Sequence, residues 1–168
     1  MQHFAPHKVF GFKWTSFFLG IFFLLLIQEV QAQYVSNNGA FISISNTTVV
    51  GMDTLNNSAV ATLANNGTLN ITSINNAGNT FGDGTYMITG DFVSSGTFLS
   101  EAGAVYMKGT LAQTMTLEAA TFNNLTIDNA TSVTLTSTQT IITNNLTIEP
   151  EKVFKIEADK NLTVTGSI

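Results

Sequence analysis

From Asn123 to Val164 apolar residues alternate with Thr, Ser or charged residues, as in Leu125-Thr126-Ile127 and Phe154-Lys155-Ile156-Glu157. That is the two-residue period of half-buried strands; helical spacing is absent. The alternation is written twice, and one constant shift carries Asn123-Asn124-Leu125-Thr126-Ile127-Asp128 onto Asn144-Asn145-Leu146-Thr147-Ile148-Glu149. The same shift carries Val133 and Leu135 onto Phe154 and Ile156, Ile141 onto Leu162 and Thr143 onto Val164. A fixed period of about 20 residues marks a solenoid, whose units stack because none buries its apolar face alone. The pattern predicts three short strands per coil, each pairing in parallel with its counterpart one coil away. Leu125, Ile127, Val133, Leu135, Leu146, Ile148, Phe154, Ile156 and Leu162 are expected to point inward. Asn123-Asn124 and Asn144-Asn145 fall at one corner, where Asn suits the turn and its amide can bond a stacked neighbour.

The segment from Asn37 repeats at a slightly shorter interval. Asn37-Asn38, Asn56-Asn57 and Asn75-Asn76 recur at equal spacing, and Asn46 recurs as Asn65 at that same spacing. Under this shift Ala40, Ile44, Val50, Met52 and Leu55 fall on Ala59, Leu63, Leu69, Ile71 and Ile74. Between Asn75 and Phe122 the register loosens, which suggests two coils with an insertion or a wide corner. Gly78-Asn79-Thr80-Phe81-Gly82-Asp83-Gly84 carries the strongest turn signals there and is expected to protrude. The fold expected is all-β, a right-handed parallel β-solenoid of about six coils from about Asn37 to Val164, since parallel crossovers are right-handed almost without exception.

Residues 1–32 stand outside this pattern. Lys8, Lys13, His3 and His7 occur without an acid, Trp14 to Ile27 is uncharged and rich in Phe and Leu, and Gln28-Glu29-Val30-Gln31-Ala32 follows. A basic start, a short apolar middle and small residues at Val30 and Ala32 read as a secretory signal cleaved after Ala32. The run is shorter than the ~20 apolar residues of a membrane span. With no Cys in the chain, a lipid anchor on cysteine is excluded. The expected location is secreted or at the outer cell surface, with membrane contact only through the signal segment.

Cleavage leaves residues 33–168, one domain by length, and changes the composition. Both His and the one Trp leave with the signal, and no Arg occurs anywhere. Lys108, Lys152, Lys155 and Lys160 then face ten acids, a net charge of −6. Such a surface has no footprint for a phosphate backbone, so nucleic acid is not an expected partner. Thr, Asn and Gly supply more than a third of what remains, yet the apolar positions are regularly spaced, which argues for short strands and tight turns instead of disorder.

Catalytic chemistry is narrowed by the same composition. Without His, Cys or Arg there is no Ser/His/Asp or Cys/His nucleophile system and no His-based metal site, so no catalytic, metal or cofactor residue is assigned. Asp83, Asp91 and Glu101 are the carboxylates from which a polysaccharide-active β-helix would draw an acid and a base. Calcium at Asp83 and Asp91 would need several more converging oxygens. Thr114-Met115-Thr116 and Thr134-Leu135-Thr136 lie about one coil apart and could form two rungs of a flat Thr face, whereas Thr163-Val164-Thr165 falls out of that register. Stacked Thr-x-Thr rungs resemble those of ice-binding solenoids, although Thr also favours strands in general. Eight Asn-x-Ser/Thr triplets begin at Asn46, Asn56, Asn66, Asn70, Asn124, Asn129, Asn145 and Asn161. They follow from Asn corners preceding Thr-bearing strands.

The stretch Gly109-Thr110-Leu111-Ala112-Gln113-Thr114, leading into Phe122-Asn123-Asn124-Leu125-Thr126-Ile127, resembles the β-solenoid repeat regions of secreted cell-surface proteins from Bacteroidetes. The resemblance covers about Val105 to Val164, and Asn37 to Ile74 only in style. It implies a non-enzymatic repeat module, adhesin-like or a spacer, with a glycan or protein partner, in proteins that end in a sorting domain for type IX secretion. Asp53-Thr54-Leu55 is similar to the Asp-Thr-apolar acceptor of O-glycosylation in that bacterial group, which makes Thr54 a candidate modification site. No sorting domain follows here; after Val164 come Thr165, Gly166, Ser167 and Ile168. A truncated reading frame is therefore expected, with the chain self-associating through an uncapped C-terminal coil.

Overall fold

The computed structural model describes residues 32–137 and 141–168, which form an all-β solenoid. The expected signal segment lies outside the described residues up to position 31; Ala32 already opens the first strand. Thirteen strands join one sheet in which every pairing is parallel. They are β1 (Ala32–Asn37), β2 (Phe41–Ile44), β3 (Val49–Asn57), β4 (Thr62–Asn65), β5 (Thr68–Asn76), β6 (Asn79–Phe81), β7 (Thr85–Ile88), β8 (Phe92–Gly109), β9 (Gln113–Asn129), β10 (Val133–Leu135), β11 (Ile141–Ile148), β12 (Phe154–Ile156) and β13 (Leu162–Val164). The coils stack about six deep. β8 and β9 are continuous because each runs through a corner without losing its ladder to the coil beside it, with register shifts between Ser94 and Thr97 and between Ser100 and Ala104.

The C-terminal repeat is reproduced residue for residue. Leu125 pairs with Leu146, Val133 with Phe154 and Ile141 with Leu162. Leu125, Ile127, Val133 and Leu135 are buried, and Leu146 is 6 % exposed. Ile148 and Ile156 sit over the buried Ile127 and Leu135, yet are 41 % and 44 % exposed, because no described coil lies on their other side.

Towards the start of the chain the repeat alignment holds only in part. Val50, Met52 and Leu55 do pair with Leu69, Ile71 and Ile74. Asn37, however, stacks on Asn57 and not on Asn56, and Ile44 falls on Asn65 and not on Leu63. Asn46 therefore has no counterpart in Asn65. The corner Ser45-Asn46-Thr47-Thr48, closed by the Thr48 amide donating to the Ser45 carbonyl at 3.1 Å, is longer than the Asn66-Gly67 corner beneath it. Unequal corners shift the strands while leaving the Asn-rich spacing intact.

The Gly78–Gly84 segment does not protrude. Asn79-Thr80-Phe81 is strand β6, paired with β4 on one side and β8 on the other. Its flanking glycines permit a shortened coil: the step from Thr62 to Asn79 takes less chain than the step from Phe41 to Thr62 before it. A Cβ at Gly78 would lie 2.3 Å from the Ala61 carbonyl oxygen, and one at Gly82, where φ is +122°, 2.3 Å from that of Asn65. Turn residues here serve close approach between coils, a use that composition does not separate from an excursion.

Coil widening occurs later. Ile88 pairs with Met107 and Phe92 with Met115, so the corner Lys108–Thr114 is longer than the corner Thr89–Asp91 below it. Gln113, 2 % exposed, braces this corner: its Nε2 donates to the carbonyls of Ile88 (3.1 Å) and Gly90 (2.5 Å), and its Oε1 accepts from Asn129 Nδ2 at 2.6 Å. The Gly109-x-x-x-Gln113 wording is thus a structural device. Inside the middle coils, Tyr86, Phe92, Phe98 and Phe122 pack edge to face or tilted, with Phe98 centred 4.9 Å from Phe92, 5.1 Å from Tyr86 and 5.5 Å from Phe122. The region whose register looks loose in sequence holds the bulkiest part of the core.

Candidate functional surfaces

Alternation divides each Asn pair between two environments. Asn57 and Asn76 point inward and are 1 % and 2 % exposed, whereas Asn56 and Asn75 point outward. The inner ladder runs from Asn37 Nδ2 to Asn57 Oδ1 (3.0 Å), Asn57 Nδ2 to Asn76 Oδ1 (2.9 Å) and Asn76 Nδ2 to Ser94 Oγ (3.0 Å). In the outer one Asn75 Nδ2 donates to Asn56 Oδ1 at 2.8 Å, and Asn56 Nδ2 donates to the Tyr34 hydroxyl. The C-terminal pairs also bond from coil to coil, Asn144 to Asn123 at 3.2 Å and Asn145 to Asn124 at 2.9 Å, but neither column there is buried. The expected amide stacking is present at both ends of the solenoid.

Beside the outer ladder lies an uncharged groove of about 300 Å³, lined by Ser36, Asn38, Asn56, Asn75, Val93 and Ser95 among others. Tyr34, 60 % exposed, stands on the first coil above it. Hydroxyls and amides share its lining with the apolar surface of Ala77 and Val93, and no charged side chain takes part, which suits a neutral ligand.

The carboxylates singled out from sequence are not gathered. Asp83, after β6, accepts the Ala102 amide at 2.9 Å; Asp91, before β8, accepts the Thr114 amide at 2.8 Å. Each caps a corner of the next coil, and β7 separates them. Glu101 lines a different groove of about 280 Å³ with Leu99, Thr121, Asn123 and Asn144. Among the described residues no group of three or more His, Asp or Glu is placed to hold a metal. Among the described residues Tyr86 is the one group with a clearly shifted ionisation: burial pushes its hydroxyl well above the usual range, opposed by the nearby Asn65. That hydroxyl makes no hydrogen bond of ordinary geometry.

The two Thr-x-Thr segments do form adjacent rungs. Thr134 pairs with Thr114, and the hydroxyls of Thr116 and Thr136 lie 2.8 Å apart. The face ends there, because Val93 pairs with Thr116 on one side and Lys155 with Thr134 on the other. Thr163 pairs with Ile142 on another wall of the coil. Asn129, the start of one Asn-x-Ser/Thr triplet, is fully buried, its Oδ1 accepting from the amides of Thr131 and Ser132. Thr54 lies half-buried on β3, paired with Tyr34 and Ser73 in the neighbouring coils. Comparison with protein-family models, curated proteins and solved structures finds no match for this chain.

Proposed function

We propose that this chain is a secreted or cell-surface, non-enzymatic repeat module that acts as a spacer or adhesin-like element and contacts a glycan or protein through its outward columns. The observation that carries this reading is the division of labour along each strand. Inward amides hold the coils in register, the acidic side chains Asp83 and Asp91 cap the following coil, and the uncharged outer ladder of Asn56 and Asn75 faces solvent beside a groove. A carboxylate held by a backbone amide of the scaffold is poorly placed to serve as a mobile acid or base. The signal-like start supports export, and the resemblance of Val105–Val164 supports a surface role.

The test is to incubate the purified protein with plant, algal and bacterial polysaccharides and to measure both retention and release of reducing ends. Retention without release is expected. Release that disappears in Asp83→Asn or Asp91→Asn would replace this reading with a polysaccharide-cleaving one.

A further inference from the structure

Gly51 sits in the interior of β3, a position where glycine weakens a strand unless something demands it. Nothing in the described fold does. Its ladder with β5 runs without a bulge through Val49, Val50, Gly51 and Met52. Its φ lies outside the left-handed region, and a Cβ built on it would meet nothing among the described residues within 4 Å. Most of the other glycines, such as Gly78, Gly84 and Gly96, press against carbonyls of the preceding coil.

The missing side chain leaves a notch of about 380 Å³ on the outward wall, bordered by Asp53, Asn70, Thr72, Met87 and Thr89. Register places Gly51, Asn70, Met87 and Tyr106 in one column along the solenoid. The Asn70 amide and the Asp53 carboxylate have no side-chain partner among the described residues.

The geometry points to a binding site for a neutral oligosaccharide in this notch, an inference that rests on the adhesin-like reading and gives it a location. A sugar ring presents an apolar C–H face and a rim of hydroxyls. Met87 offers the apolar contact, Asn70 can donate and accept, Asp53 accepts, and Thr72 and Thr89 supply hydroxyls. A single carboxylate is too few ligands for a metal cation, and no cationic side chain lines the notch to attract an anion. Backbone groups of β3 pair with β5 along one edge and, from Met52 onward, with β1 along the other, so the notch on the outward wall offers a ligand side chains and not a strand edge.

The experiment pairs binding with stability. Wild-type protein, Gly51→Ala, Gly51→Val and Asn75→Ala are titrated against immobilised neutral hexasaccharides of glucose, mannose and N-acetylglucosamine, and each is melted. We expect wild type to retain at least one hexasaccharide, Gly51→Val to bind it at least tenfold more weakly, and Gly51→Val to melt no lower than wild type. Gly51→Ala should weaken binding less than Gly51→Val. Unchanged binding by Gly51→Val, or no binding of any hexasaccharide by wild type, overturns the site. A lowered melting point for Gly51→Ala also overturns it, since the glycine would then be structural. Loss of binding in Asn75→Ala alone moves recognition to the corner groove, which overturns the notch and leaves the adhesin-like reading standing, whereas release of reducing ends defeats that reading whichever site binds.

Discussion

Replacing Asn76 by Ala tests whether the buried amide ladder holds the coils together. Asn76 Nδ2 donates to Ser94 Oγ and to the Thr97 carbonyl, both at 3.0 Å, while its Oδ1 accepts from Asn57 Nδ2 at 2.9 Å and from the Thr80 hydroxyl at 3.1 Å. Truncation removes all four. Asn57 keeps its bond to the Asn79 carbonyl at 3.1 Å, and Ser94 Oγ still reaches the Gly96 carbonyl. Thr80, 2 % exposed, loses its acceptor, and the Thr97 carbonyl loses a donor. An orphaned buried polar group costs ~1–3 kcal/mol, so with a small cavity the sum is ~3–4 kcal/mol. At ~2.1 cal/mol/K per residue the unfolding entropy of a domain of this length is about 0.3 kcal/mol/K, which places the melting temperature roughly 10–14 °C lower. Asn75→Ala is the control. It loses one solvent-facing bond to Asn56, worth ~0.5–1 kcal/mol, so its melt should fall by no more than about 3 °C. Thermal denaturation followed by circular dichroism reads both, and equal shifts in the two variants would refute the assignment of the ladder as the element that joins coils.

Further consequences can be measured on the same protein. Phe98 is fully buried among Tyr86, Phe92 and Phe122, so Phe98→Ala should cost ~3–5 kcal/mol in chemical denaturation. Thr47 is a β-branched residue at φ 69°, and Thr47→Gly should stabilise by ~0.5–1 kcal/mol once the left-handed strain is set against the added chain entropy, read as a shift in the denaturation midpoint. Tyr86 ionises less readily folded than unfolded, so its contribution is complete below the unfolded value of 10.0 and declines as pH rises beyond it. Stability measured on either side of pH 10 should fall less in Tyr86→Phe than in wild type.

What could be read from the sequence was set by whether a corner kept its length. Where successive coils keep the same circumference, as from Leu125 to Leu146, every apolar pair was legible because identical corners return each strand to the same register. Where corners differ, the same reasoning slips. Asn37-Asn38 looks equivalent to Asn56-Asn57, yet Ser36 pairs with Asn56, since one more residue is spent between the strands. Gly78 to Gly84 has the composition of a protruding loop and the geometry of a shortened coil, a distinction carried by carbonyls of the coil beneath that are remote in sequence. Gln113 was visible only as part of a recurring phrase, and its role as a brace depends on the Ile88 and Gly90 carbonyls of an earlier coil. Asp83 and Asp91 stand out in the sequence as acids among turn residues, but that they bond the following coil depends on stacking that no local motif encodes.

The parallel ladder imposes an asymmetry on what each position can vary. An inward residue touches the coils on both sides, so a change at Phe98 is felt by Tyr86, Phe92 and Phe122 together. An outward residue meets chiefly its column neighbours, and the columns carry little order: Gly51, Asn70, Met87, Tyr106, Thr126 and Thr147 succeed one another on a single wall, the residue type changing at every step but the last. Strand propensity alone would fill such a column with Thr, Val or aromatic residues, as Tyr106, Thr126 and Thr147 do. Gly51, Asn70 and Met87 depart from that expectation, and of these Gly51 and Asn70, both of types depleted in strands, are adjacent. Neither packing against the described residues nor backbone conformation accounts for Gly51, and the Asn70 side chain has no partner among the described residues, so it is at these two adjacent positions that substitution should separate recognition from stability.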